Sequence, residues 1–347
     1  MTVHVPARNT NVLQLPQPYL LFLADTVDPG FAKTALGLKD WAGDRCVGEF
    51  ALPECAVTTG LPRMTPAAAY AAGARGLVIG VASVGGQIRD NWVPALIEAL
   101  EAGLDIVSGM HSSYLAIPAL TDAVARTGRQ FIEVRRPPPN IPIGTGDKRT
   151  GKRLLTVGTD CALGKKYTAL ALAKAFSGRG VDTDFRATGQ TGIMIAGSGV
   201  PLDSVVCDFT AGAAEALSPS AAANHWDVIE GQGSLFHPAY AGVSLGLLHG
   251  SQPDVLVVCH DPERTHMMGL PNFPMPTLRE TIDLNILMGS RTNPSVRCAG
   301  ISLNTSTLSA EAADAVIAET SRRLGLPVAD PIRGGAAFER LVDACLN

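Results

Sequence analysis

One turn decides much of the architecture of this sequence. Gly158-Thr159-Asp160-Cys161-Ala162-Leu163-Gly164-Lys165-Lys166 follows an apolar run, Arg153-Leu154-Leu155-Thr156-Val157, and precedes a stretch at 167–176 that spaces Ala and Leu as a helix does. A chain that leaves a buried strand, turns on glycines and enters a helix aims several backbone N–H groups and the positive helix end at one point, where an anion is held. Gly158 and Gly164 stand where the turn needs unusual backbone angles and close ligand approach. Lys165 supplies a full charge. Strand before and helix after is the context that confirms a phosphate-binding loop, and the cofactor-binding set expected from it is 158–166 with Tyr167.

The turn departs twice from the common G-x-x-x-x-G-K-[ST] loop. Five residues rather than four separate Gly158 from Gly164, and the Gly-Thr-Asp opening resembles the loops of dethiobiotin synthetases and cobyrinic acid amide synthases. Lys166 stands where Ser or Thr places a hydroxyl on magnesium. An ammonium cannot ligate Mg²⁺, so phosphate binding without hydrolysis is expected, and no metal requirement.

The rest of the chain implies an α/β protein of two domains, a Rossmann-like doubly wound domain at 1–140 and a P-loop NTPase-like parallel-sheet domain at 141–347. The length, 347 residues, exceeds what one core usually supports. Tyr19–Ala24, 76–81 and Asp105–Ser108 read as buried parallel strands, with a helix at 66–72 before the second and one at 93–102 before the third. Strand, helix, strand in that order implies right-handed crossovers. Residues 135–142 hold four prolines and form the linker, since Pro lacks an amide hydrogen. Beyond it, strands are expected at 153–157, 203–207, 227–230, 255–259 and 298–303, with final helices at Ala310–Leu324 and 336–345.

Three further constellations fall at predicted loop ends. Arg186-Ala187-Thr188-Gly189-Gln190-Thr191-Gly192 offers a guanidinium, an amide and two hydroxyls, suited to a planar or anionic ligand or to a plain turn. Asp227-Val228-Ile229-Glu230-Gly231-Gln232-Gly233-Ser234-Leu235-Phe236-His237 puts an acid at a strand's carboxyl end, the edge where open α/β sheets bind ligands. Glu230 there accepts a proton, holds a metal or caps the loop, and His237 is functional or structural. Arg264, after the strand at 255–259, binds a carboxylate bidentately or makes a surface ion pair. Catalytic candidates are therefore Glu230 and His237; substrate-binding candidates are Arg186, Gln190 and Arg264. Cys161 beside Lys165 and a helix end is expected to have a lowered pKa, which opens a covalent route. In the first domain, Gly85-Gly86-Gln87-Ile88-Arg89 and Ser108-Gly109-Met110-His111 follow strands without a full dinucleotide fingerprint.

Several classes are disfavoured. A net charge of −4 gives no general pull toward nucleic acid or anionic lipid. Apolar stretches fall short of the ~20 residues that span a bilayer, and residues 1–17 lack the pattern of a leader. Seven scattered cysteines without a Cys-x-x-Cys pair fit reduced thiols, hence a cytoplasmic expectation. No zinc-ligand spacing occurs.

Taken with Asp208-Phe209-Thr210-Ala211-Gly212, Leu248-His249-Gly250-Ser251 and Gly103-Leu104-Asp105-Ile106-Val107-Ser108-Gly109, these motifs resemble, over nearly the whole chain, one P-loop family of formerly unknown function. That family includes a D-glutamate N-acetyltransferase of bacterial D-glutamate catabolism. The resemblance implies transfer of acetyl from acetyl-CoA to D-glutamate or a similar acidic amino acid, a small-molecule substrate; from charge and hydropathy no nucleic-acid or membrane partner is expected, and a homo-oligomer is the working expectation. The competing classes are an ATP-dependent ligase or kinase of the dethiobiotin-synthetase type, against which Lys166 weighs, and a non-catalytic nucleotide sensor. Residue chemistry alone does not select D-glutamate.

Overall fold

The computed structural model describes residues 11–347; residues 1–10, part of the stretch read above as lacking a leader, lie outside them. Contacts divide the chain into two compact units, one of Leu13–Pro137 with Gln190–Pro201, the other of Pro138–Gly189 with Leu202–Asn347.

In the first unit five parallel strands lie in the order Cys46–Ala51, Tyr19–Ala24, Gly76–Ile79, Asp105–Ser108, Phe131–Glu133. The chain winds outward one way and then the other, so the order reverses between Tyr19–Ala24 and Gly76–Ile79, as in doubly wound folds. Six apolar residues in a row at Tyr19–Ala24 are all buried, as a strand covered on both faces requires. The intervening helices are punctuated by simple chemistry. Thr65 caps Pro66–Ala71 by accepting from Ala68 N at 3.3 Å, with Pro66 at the first helical position, and Gly128, at φ 67°, ends Pro118–Thr127. The two glycine-bearing loops singled out in the sequence meet: His111 N donates to Gly86 O at 2.7 Å.

Residues 190–201 belong to this unit although they follow the phosphate loop in sequence. The helix Gln190–Ala196 packs on Lys33–Ala42, Arg45 donates to Ala196 O at 3.0 Å, and Ser198–Gly199 pairs antiparallel with Leu13–Gln14. Each unit is thus built from separated stretches of chain, where the sequence suggested one boundary at 140/141.

The second unit is a six-stranded parallel sheet in the order Val328–Ala329, Arg297–Leu303, Val255–His260, Lys152–Gly158, Trp226–Ile229, Thr183–Arg186. Lys152–Gly158 and Val255–His260 are the two central strands, each buried at all but one residue. The strand expected at 203–207 does not form; two short 3₁₀ turns, Leu202–Ser204 and Cys207–Phe209, stand there instead. The apolar part is only Val205-Val206, Val206 is exposed, and the flanking Asp and Ser residues favour local turns over a ladder. Among the described residues no helix is long and apolar enough to cross a membrane.

Candidate functional site

The phosphate loop leaves the central strand at Gly158, which lies opposite Cys259 of the neighbouring strand. It enters the helix Lys165–Gly178 through Gly164, left-handed at φ 95°. Ala162 is also left-handed, at φ 52°, a conformation that an L side chain adopts at some cost. Lys165 is buried and its Nζ donates to Asp160 O at 2.7 Å; burial holds its pKa below the ordinary lysine value. Lys166 instead places its ammonium 4.4 Å from the Tyr167 ring centroid.

Asp160, with no exposed surface, ties this loop together. Its Oδ1 accepts from Cys161 N at 2.7 Å, and its Oδ2 accepts from Arg264 at 2.9 Å and from Met268 N at 2.7 Å. Arg264 also donates to Cys161 O at 2.7 Å. The guanidinium proposed from sequence as a carboxylate binder therefore already grips the loop from outside.

The glycine-rich loop after Trp226–Ile229 runs against the phosphate loop. A Cβ on Gly231 would sit 1.7 Å from Thr156 O, so only glycine permits the approach. Gly231 N donates to Thr156 Oγ1 at 2.9 Å and Ser234 Oγ donates to Thr159 O at 3.1 Å. Glu230 is buried at the mouth of this loop, its Oε2 accepting from Thr188 N at 3.0 Å and Gly189 N at 3.1 Å. Burial pushes its pKa up; the two amides and the Lys166 charge pull the other way without prevailing. His237 is buried, with Nε2 4.0 Å from Asp160 Oδ1. Ala239 N donates to its Nδ1 at 3.1 Å, so the neutral ring carries its proton on Nε2 and offers a donor there.

The other sequence candidates are distributed differently. Arg186, at the end of Thr183–Arg186, donates to buried Asp227 and pairs with Asp184 at 2.9 Å. Gln190 opens a helix of the first unit. Cys161 corrects an expectation: burial pushes its thiol pKa up, outweighing the Lys165 charge. Two groups among the described residues bring three metal-capable atoms within reach, Asp160-Cys161-His237 and Asp184-His225-Asp227. An arginine occupies a carboxylate in each, and that positive charge opposes a dication. Sequence reading passed over Thr188 and Gly189 as holders of Glu230. Their glycine-containing turn at a strand's carboxyl end was the available clue.

The comparisons agree with this geometry. A family described as "Domain of unknown function (DUF1611_C) P-loop domain" matches residues 142–342, and its companion, "Domain of unknown function (DUF1611_N) Rossmann-like domain", matches residues 48–137. The chain belongs to the DUF1611 family. A DUF1611 family protein from Anabaena variabilis, solved by crystallography, is similar at 35% identity and a TM-score of 0.80, covering 95% of this chain and 99% of that one. A protein of Tritonibacter scottomollicae named D-glutamate N-acetyltransferase is 50% identical over 94% of this chain and 98% of its own length. One of the same name from Pseudoalteromonas is 48% identical over 93% and 97%.

Proposed function

We propose that this DUF1611 member transfers acetyl from acetyl-CoA to the amine of D-glutamate, with the donor's phosphates on the 158–166 loop. The observation that carries the reading is the 50% identity over 94% of the chain to a relative bearing that activity's name. The loop supports it. Coenzyme A brings anionic phosphates that suit backbone N–H groups, a helix N-terminus and Lys165, and it needs no magnesium hydroxyl.

In the reaction the amine gives up a proton, its nitrogen attacks the thioester carbonyl, and the tetrahedral intermediate collapses with loss of the CoA thiolate, which takes up a proton. Glu230 is proposed as the base and the His237 Nε2–H as a donor to the oxyanion. Arg186 and Arg264 remain the proposed contacts for the substrate's carboxylates, with Arg264 also bracing the loop.

Purified protein given acetyl-CoA and D-glutamate should form N-acetyl-D-glutamate and free thiol equally with and without a chelator; absence of product would sink the reading. Lys165→Ala should weaken CoA by about tenfold or more, the loss of charge-assisted bonds of roughly 1.5–3 kcal/mol. Unchanged CoA affinity by calorimetry would remove the loop from the site. Direct transfer fits the raised Cys161 thiol, so Cys161→Ala should stay near normal in turnover and acetyl-CoA alone should leave no acetylated enzyme. A trapped acetyl-Cys161 would reverse that conclusion.

A further inference from the structure

Beside the phosphate loop, at the carboxyl ends of Arg297–Leu303 and Val328–Ala329, lies a cavity of about 310 Å³. This is at the lower end of the roughly 300–1,000 Å³ of small-molecule sites. One wall is the loop and the helix it opens, Ala162 to Gly164 with Tyr167; the other includes Asn304, Ser306, Pro331 and Ile332. The lining is largely apolar with a few polar groups, the character of a site for a flat heterocycle rather than for a sugar.

The far wall is preformed. Asp330, nearly buried, accepts from Thr305 N at 3.0 Å and Thr305 Oγ1 at 2.6 Å through one oxygen, and from Ile332 N at 2.9 Å through the other. Arg333 then donates to Thr305 Oγ1 at 2.7 Å, Thr305 O at 2.9 Å and Leu308 O at 2.7 Å. These bonds fix the 304–308 and 330–333 loops as one body. They also hold Ile332 with 64% of its surface exposed at the cavity's edge, an apolar side chain that water alone does not favour there. Asn304 Oδ1 accepts from Ser306 N at 3.3 Å, which leaves its amide N–H groups as donors.

We infer that this cavity takes the adenosine end of the ligand whose phosphates rest on the loop. Tyr167 and Ile332 flank the ring, and Asn304 donates to a ring nitrogen. Adenine is favoured over guanine because guanine's N–H edge calls for a carboxylate, and both oxygens of Asp330 are already taken. The inference rests on the acetyl-CoA reading only for the name of the ligand, since CoA and ATP both present an adenosine, that of CoA with a further 3′-phosphate.

Calorimetry of CoA, ATP with magnesium and GTP with magnesium on the wild type, Asn304→Ala and Ile332→Ala decides it, with melting curves confirming that each variant folds. The expected result is that CoA binds, GTP does not, and each substitution weakens CoA by about fivefold to tenfold, the loss of one hydrogen bond or of one apolar flank. Binding of ATP but not CoA, weakened by the same substitutions, would keep the adenosine site and overturn the acetyl-CoA reading. CoA affinity untouched by both substitutions would overturn the cavity and leave that reading standing. Binding of neither CoA nor ATP would overturn both, and tight GTP binding would overturn the choice of ring.

Discussion

Glu230→Gln is expected to lower turnover by about 10²–10⁴-fold, the usual contribution of a positioned general base, while acetyl-CoA affinity changes little. The substitution separates two roles. As a cap, the side chain needs only an oxygen to accept from Thr188 N and Gly189 N, and glutamine retains one; as a base it needs a carboxylate. A purely structural Glu230 would therefore leave Glu230→Gln active with an unchanged melting temperature, and that result would sink the assignment. The pH profile gives an independent test. Burial raises the Glu230 pKa above its ordinary 4.5, and a base works only when deprotonated. Activity should then rise with pH through a point above the ordinary carboxylate value, and this acid limb should vanish in Glu230→Gln. If the limb persists in the variant, another group titrates.

The phosphate loop was legible because it is local: the strand, the turn and the helix that define it are contiguous, and apolar spacing reports each. The strands at the sheet centres could be read for the same reason, as short, largely apolar stretches. Thr183–Arg186 escaped because an edge strand alternates Asp184 and Arg186 with less polar residues and carries no such run. Cys46–Ala51 escaped likewise, with Gly48 and Glu49 in its middle. Strand order left no local trace in either sheet. Nor did the partners of the two arginines, since Arg186 finds Asp227 across 41 residues and Arg264 finds Asp160 across 104. Sequence names a guanidinium as free to bind substrate, and only the fold shows what it already holds. The helix Gln190–Ala196 was the hardest to place, because seven residues with a glycine carry no pattern saying which core receives them.

Asp160→Ala should cost about 3 kcal/mol, the low end of the roughly 3–5 kcal/mol for breaking a buried ion pair. The low end applies because the Arg264 side chain is 21% exposed and regains some water. For a unit of this size that is a fall of about 6–12 °C in its melting transition, at roughly 2–4 °C per kcal/mol. Three donors lose their acceptor at once: Cys161 N, Met268 N and the Arg264 guanidinium. Two of them set the path of the loop and of the hairpin that begins at His266. CoA affinity should fall with stability even though Asp160, fully buried, has no surface to offer a ligand. Arg264→Ala should show the same pair of losses, and the double variant should lose less than the sum, since each single change already breaks the shared contact. Strict additivity, or an Asp160→Ala protein with wild-type melting and CoA affinity, would mean that the ion pair neither shapes the loop nor couples the hairpin to it, and Arg264 would return to the substrate as its sole proposed task.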